Sequence, residues 1–427
     1  MITAADMAIA PASPLQAPAV AFRERILLVV LYVTVLASSV AFIEPSPHDV
    51  LMGVLAIACL VAGVRFERML VLPFLLLLIW NVAGMMSLLN VVGLEKTIQY
   101  TGTSVYLAVA ALMFACIFAQ NTMPRLAAMR TAYVFTAVLV ASAGVSGYFH
   151  LFPGAETMFV GSGRANGAFK DANVFGPFLI WPILVVLERM VARRIGFIDT
   201  VVAAILLLGL LLSFSRGAWF HFAVSGVAML ALAFLTAPSA RARMRVLGLS
   251  TLGIVALAAA LIILLSFDSI GQMFYERAHL FQFYDVGEGG RFRLQELALS
   301  SVLNYPKGMG PFEFARVHGL QQHNVYLQSF LVYGWTGAMA YLLLLFTTLL
   351  VGFRTAIVRT PWQPYIITAF AAFVGEVAEG FVIDSDHWRH FYLLLGMIWG
   401  LAAATFRQTQ HGCAPMPTGQ VSHVGAA

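Results

Sequence analysis

The sequence predicts an all-α polytopic membrane protein of about twelve transmembrane helices, with one long extramembrane loop carrying short amphipathic helices. Three observations predict it. Hydrophobic residues fill 60% of the 427 positions against 11% charged, and mean hydropathy is +0.86. A soluble chain carries about a quarter charged residues, so lipid must cover the surface that polar side chains here cannot. Apolar runs near the ~20 residues that cross a bilayer recur along the chain. Arginines cluster beside alternate runs, as membrane orientation requires.

In chain order the expected spans lie near 26–43, 48–64, 69–90, 101–119, 131–149 and 173–190, then 198–214, 217–236, 246–266, 323–352, 364–383 and 389–406. Residues 1–22 are Ala- and Pro-rich and lack the short apolar core of a cleavable signal. The run after Arg23 and Arg25 is long enough to remain as an anchor. The organisation is a cytoplasmic tail over 1–25, one transmembrane domain over 26–406 with its main loop at 267–322, and a cytoplasmic tail over 407–427.

The cations test the count. With the N-terminus in the cytoplasm and sides alternating, the inside segments hold Arg23, Arg25, Arg65, Arg68, Arg125, Arg130, Arg189, Arg193 and Arg194. They also hold Arg241, Arg243, Arg245, Arg354, Arg359 and Arg407, so fifteen of the 25 Lys and Arg residues lie inside. One helix more or fewer would invert half of these clusters, so the orientation rule supports an even number of spans and two cytoplasmic termini. The same placement explains the +5 net charge and the pI near 9.2 without nucleic acid.

Ten cations remain outside. Lys96 and Arg389 are isolated. The others gather as Arg164 and Lys170 in the 150–172 loop, Arg216 at a tight turn, and Arg277, Arg291, Arg293, Lys307 and Arg316 in the 267–322 loop. Cations placed against the orientation rule need another reason, and binding an anion supplies one. Planar guanidinium forks suit the oxygens of a diphosphate.

Within the long loop, residues 291–304 fit a helix on the membrane surface. Leu294, Ala298 and Val302 form one stripe with Leu299 and Leu303 beside it; Arg293, Glu296, Ser300 and Asn304 oppose them. Pro306, Gly308 and Gly310 then break the chain. His323 follows at the outer start of the tenth span, where an imidazole can take a proton from a sugar hydroxyl near neutral pH. A histidine so placed also serves as a helix cap, and interfacial arginines also snorkel to lipid phosphates. The gathering of Arg and His on one side favours chemistry over either alternative.

Trp219, Trp335 and Trp388 read as interfacial belt aromatics. Glu376 and Glu379 sit one turn apart inside the eleventh span, where carboxylates are rare. They would line a cavity or pair with an outer arginine. With Asp384 and Asp386 nearby they could suggest a metal, but arginines suffice for diphosphate departure and no metal or cofactor is expected. Cys59 and Cys116 lie in apolar runs and Cys413 in the tail, with no metal-type spacing.

Four segments in order then carry a resemblance: GRANGAFKDAN at 163–173 before a span, SFSRG at 213–217, the Arg-led helix from 291 ending in PKGMG, and HNVYLQ from 323 followed by GWTG at 334–337. Together they resemble the O-antigen ligase and polysaccharide polymerase superfamily over about residues 150–340. That resemblance implies a GT-C-like, inverting, metal-independent glycosyltransferase at the periplasmic face of the bacterial inner membrane. The implied donor is a glycan on undecaprenyl diphosphate, and the acceptor is lipid A-core in ligases or another lipid-linked glycan in polymerases.

Carried over by position, His323 matches the general base, and Arg216 and Arg291 match the arginines that hold the diphosphate. Asn324 follows the histidine as in the family, and Arg164, Asp171 and Asn173 match the loop motif. Arg293 is a near neighbour that could replace Arg291. Where the family helix often carries Trp, four residues after the leading Arg, this chain has Gln295. Arg316, Glu376 and Glu379 are candidates to line the cavity. Of the two activities the compact loop and chain length favour the ligase. A transporter of lipid-linked glycans, the rival class, would call for repeated halves and polar residues at mid-membrane.

Overall fold

A computed structural model of the chain describes residues 16–43, 45–192, 195–278 and 290–412. The ends of both tails with Cys413, residues Arg193 and Arg194, and the Gly-rich segment 279–289 lie outside the described residues. Among the described residues there are sixteen α-helices, three single-turn 3-10 helices and one hairpin of two two-residue strands. In a bilayer a spanning segment must satisfy its backbone hydrogen bonds internally, which is why apolar runs take the helical form.

Each expected span falls on a helix: α1 (Gln16–Leu36), α2 (Pro47–Ala62), α3 (Val71–Ser87), α4 (Leu94–Ala119), α5 (Thr122–Tyr148) and, after the short α6 (Ala155–Phe159), α7 (Ala172–Ala192). Then come α8 (Phe197–Leu212), α9 (Arg216–Thr236) and α10 (Ala240–Leu265). The loop helices are α11 (Asp268–Ala278), α12 (Arg291–Asn304) and α13 (Glu313–His318), and the last three spans are α14 (Val325–Ala356), α15 (Gln363–Glu379) and α16 (Arg389–Gly412). Seven of these are long and apolar enough to cross a membrane, while α2 and α8 are apolar but shorter. Helix α1 begins ten residues before the expected span and α16 runs six beyond it.

Several arginines expected in connections are built into helices with acidic partners. Arg125, only 4% exposed, lies in α5 and binds Glu24 of α1 at 2.8 Å, and Arg407 binds Glu67 at 2.6 Å. The isolated Arg389 forms a two-pronged pair with Asp49, at 2.9 and 2.7 Å. Asp49 also completes the capping box of α2, since its carboxylate accepts from the Ser46 amide while Ser46 caps the Asp49 amide.

Helix α4 packs on α16, α3 on α14 and α9 on α15. Small residues allow the last crossing to be close: a Cβ at Gly375 would fall against Ser225 Oγ and His221. Helix α14 is interrupted at Gly334, which takes φ 65° and ψ −176°. The break lets the 306–310 turn dock, since the Trp335 amide donates to Pro306 O and the Met309 amide to Leu331 O. A Cβ at Gly334 would lie 2.7 Å from the Lys307 carbonyl carbon, so only glycine fits.

Helix α12 has the boundaries its pattern predicts. Its buried stripe is Leu294, Ala298, Ser301 and Val302, and it rests on Met309, Phe314 and Leu331 rather than lying on lipid alone. Leu299 and Leu303, expected beside that stripe, are exposed.

Candidate active site

Helices α7, α9, α14 and α16 begin, and α8 and α15 end, around one cavity of about 410 Å³. Alternating directions bring all these termini to the same end of the bundle. Arg164, Arg216, Arg277 and Arg291 line the cavity together with His323 and Asp384.

Each cation arrives on its own device. Arg164 stands on the hairpin β1 (Val160–Gly161) and β2 (Arg164–Ala165). Its turn residues Ser162 and Gly163 both have positive φ, the geometry of a tight hairpin. The Arg164 guanidinium donates to Ser213 O at 2.8 Å and to Asn173 Oδ1 at 2.7 Å. Asp171 Oδ1 in turn accepts from the Asn173 amide at 2.8 Å. The 163–173 motif is therefore one linked unit fastened to the 213–217 turn.

That turn is anchored by Phe214, which is buried with a left-handed φ of 44°. Ser215 caps α9, so Arg216 opens the helix at the cavity wall. Trp219, expected in the interfacial belt, stacks on Phe274 of α11 at 5.3 Å. Helix α11 carries Arg277 in its last turn. Arg291 opens α12 and lines the cavity. Arg293 is half-exposed and binds Glu296 at 2.6 Å on the same helix, so the two arginines that sequence leaves interchangeable occupy different places.

His323 adopts φ 50° in the extended linker before α14. Both flanks are pinned. Asn324 caps α14, accepting from the Tyr326 and Leu327 amides, and donates to Phe381 O. The side chain of Gln295 donates to His323 O and to Phe381 O, both at 3.4 Å. The position where the relatives often carry Trp thus ties α12 to the backbone of the histidine.

His323 Nδ1 lies 3.6 Å from Asp384 Oδ2, and Asp384 Oδ1 accepts the Asn324 amide at 2.9 Å. Burial pushes the Asp384 carboxyl above the usual carboxylate range; contact with His323 pulls it down only in part, and Asp386 adds to the rise. Burial would raise Asp386 in the same way, but His387 and Tyr100 beside it outweigh burial and hold it low. His387 is the reverse: burial lowers it, and the charge of Asp386 more than offsets that and raises it.

Four expectations meet other surroundings. Arg316 binds Glu313 at 2.6 Å on α13 and is absent from the lining of this cavity. Asn324 acts as a helix cap, its side chain occupied by backbone groups. Glu376 and Glu379 are fully buried below the cavity and meet histidines, not arginines. Glu379 Oε2 lies 2.8 Å from His221 Nδ1, and Glu376 Oε1 lies 3.4 Å from His390 Nε2. Trp388, read as a belt residue, is buried and lines the cavity.

Sequence reasoning missed Arg277 and Asp384 as site residues. Arg277 carries the same signal as the others, a cation against the orientation rule, while Asp384 has no mark beyond its place after a span. Among the described residues no group of three or more His, Cys, Asp or Glu is arranged to hold a metal ion.

A helical membrane bundle whose spans end around one cavity lined by four arginines and a histidine defines the class: a polytopic membrane protein with a polar site at one end of its spans. Residues 201–342, from α8 into α14, match the family model described as O-antigen ligase. That segment is about a third of the chain, and it contains Arg216, Arg277, Arg291 and His323. The match supports the O-antigen ligase and polysaccharide polymerase superfamily that the motifs resemble, and glycan transfer of that general type. No curated protein matches the chain.

Proposed function

We propose that the chain transfers a glycan from undecaprenyl diphosphate to an acceptor sugar hydroxyl at the periplasmic face of the inner membrane, as an O-antigen ligase acting on lipid A-core. One observation carries this reading: His323 and Arg164, Arg216, Arg277 and Arg291 share a single cavity. A base and an anion cradle are the two components that displacement at an anomeric carbon requires.

In the proposed step His323 takes the acceptor hydroxyl proton as the acceptor oxygen bonds to the anomeric carbon. The bond from that carbon to the diphosphate breaks, and undecaprenyl diphosphate leaves with the electron pair. Arg216 and Arg291, with Arg164 and Arg277, meet the charge on the departing oxygens. A well-placed donor of this type contributes ~3–4 kcal/mol to the transition state. Asp384, 3.6 Å from the imidazole, favours the imidazolium that forms.

The test is transfer by purified protein in nanodiscs, given an undecaprenyl-diphosphate-linked glycan with and without lipid A-core. The ligase reading expects product only when lipid A-core is present. Longer lipid-linked chains from donor alone would make the protein a polymerase, and donor binding without any product would favour a transporter. His323→Ala should lower transfer by roughly two to four orders of magnitude while donor binding persists. Near wild-type transfer by that variant would remove the proposed base.

A further inference from the structure

A second cavity of about 190 Å³ adjoins the arginine-lined one. Asp171, Val174 and Trp388 line both, so they form a shared wall. The character changes across that wall. On the far side the lining is aromatic, with Phe114, Tyr133, Phe169 and Phe178, interrupted by polar groups. Arg389 is present, but its charge is met by the two-pronged pair with Asp49. His390 is 6% exposed, and its Nε2 makes no hydrogen bond, the nearest carboxylate oxygen being Glu376 Oε1 at 3.4 Å. Lys170 stands exposed at the mouth.

We propose that this bay seats the terminal sugar of the acceptor glycan. The inference rests on the glycosyltransferase reading above and adds where the second substrate binds. A diphosphate would find one arginine here, already paired with Asp49, and a single lysine, against four arginines on the other side of the wall. A neutral sugar ring has apolar C–H faces that stack on aromatic walls, and hydroxyls that bond to the buried His390 imidazole and to the exposed Lys170 ammonium. The bay is the size of one such ring. A sugar held against Trp388 presents its hydroxyl across the wall toward the cavity that contains His323, while the leaving diphosphate lies among the arginines. Displacement requires that separation, since the attacking oxygen and the leaving group approach the anomeric carbon from opposite sides.

The test is binding, measured in nanodiscs separately for lipid A-core and for undecaprenyl diphosphate, each without the other. Ser38 lines the bay and not the arginine cavity, so Ser38→Phe plugs one and leaves the other. The expected result is about tenfold or greater loss of lipid A-core affinity with undecaprenyl diphosphate binding unchanged. Retained binding of the second lipid also shows that the variant is folded. Lys170→Ala, an exposed change, should weaken lipid A-core by roughly three- to tenfold and leave the other lipid alone.

Unchanged lipid A-core binding in both variants overturns the proposal, as does wild-type protein that binds no lipid A-core. Loss of undecaprenyl diphosphate in a folded Ser38→Phe variant would give the bay to the donor instead. Wild type that binds both lipids with the expected variant pattern but transfers nothing would sink the enzymatic reading and leave the bay standing.

Discussion

Gly375→Ala tests whether the arginine cavity depends on how tightly α9 and α15 cross. An added Cβ would overlap Ser225 Oγ and His221 Cδ2, and would lie 2.6 Å from His221 O. The two side chains could turn, but the carbonyl belongs to the backbone of α9, so the helices must part. Overpacking of this sort costs typically ~1–3 kcal/mol. If the helices separate enough to break the fully buried His221–Glu379 contact at 2.8 Å, a buried polar group is left without its partner, at a further ~1–3 kcal/mol. Arg216 opens the same helix, so undecaprenyl diphosphate affinity should fall with stability. Gly226→Ala is the control: it lies on α9 with nothing within 4 Å of its Cβ, and replacing a helix glycine there should gain ~0.5–1 kcal/mol. The assay is thermal loss of the monodisperse peak of detergent-purified protein, alongside lipid binding. A Gly375→Ala protein as stable as Gly226→Ala, with unaltered affinity, would refute the reasoning.

Other expectations follow from the same geometry. Arg291→Lys should lower transfer by about a hundredfold, since an ammonium replaces a planar fork, whereas Arg293→Lys should stay near wild type; equal effects would return the two arginines to equivalence. Glu379→Leu should cost about 1–3 kcal/mol by leaving buried His221 Nδ1 without its partner, with Glu379→Gln milder, and two unchanged melting curves would deny the pair a structural role. His387 is held above its usual value, so its contribution to stability is complete below about pH 6.5 and declines as pH rises through the raised value. The melting temperature of wild type relative to His387→Asn should therefore fall on the alkaline side, and a flat difference between pH 6 and 9 would contradict the pairing with Asp386.

Some of this was legible in the sequence because the signal was local or repeated. The 3.6-residue period of 291–304 marks both ends of α12, and four of the ten cations expected outside line one cavity. What was not legible depends on pairing between distant segments. Arg291 and Arg293 are two residues apart, about 200° around a helix, and only the packing of Leu294 and Ala298 on α14 decides which faces the cavity. Asn324 looks like a site residue because it follows His323, yet its side chain is spent on the first turn of α14. His221 is a single polar residue in an apolar run and His390 ends the polar stretch leading into α16, and nothing near either announces that its partner lies on α15.

Those histidines bear on why the bundle tolerates two carboxylates in its interior. Four arginines line one cavity, and the N-terminus of α9 adds positive dipole at Arg216. A Cβ at Gly217 would lie 2.6 Å from Glu379 Oε1, so that carboxyl group sits against the first turn of α9, directly behind the cationic wall. It faces the dipole from below while His221 fixes its other oxygen. That contact holds the first turn of α9 against α15 beside the arginines of the cavity. On this account Glu379 supports the site from behind, although it does not line the cavity.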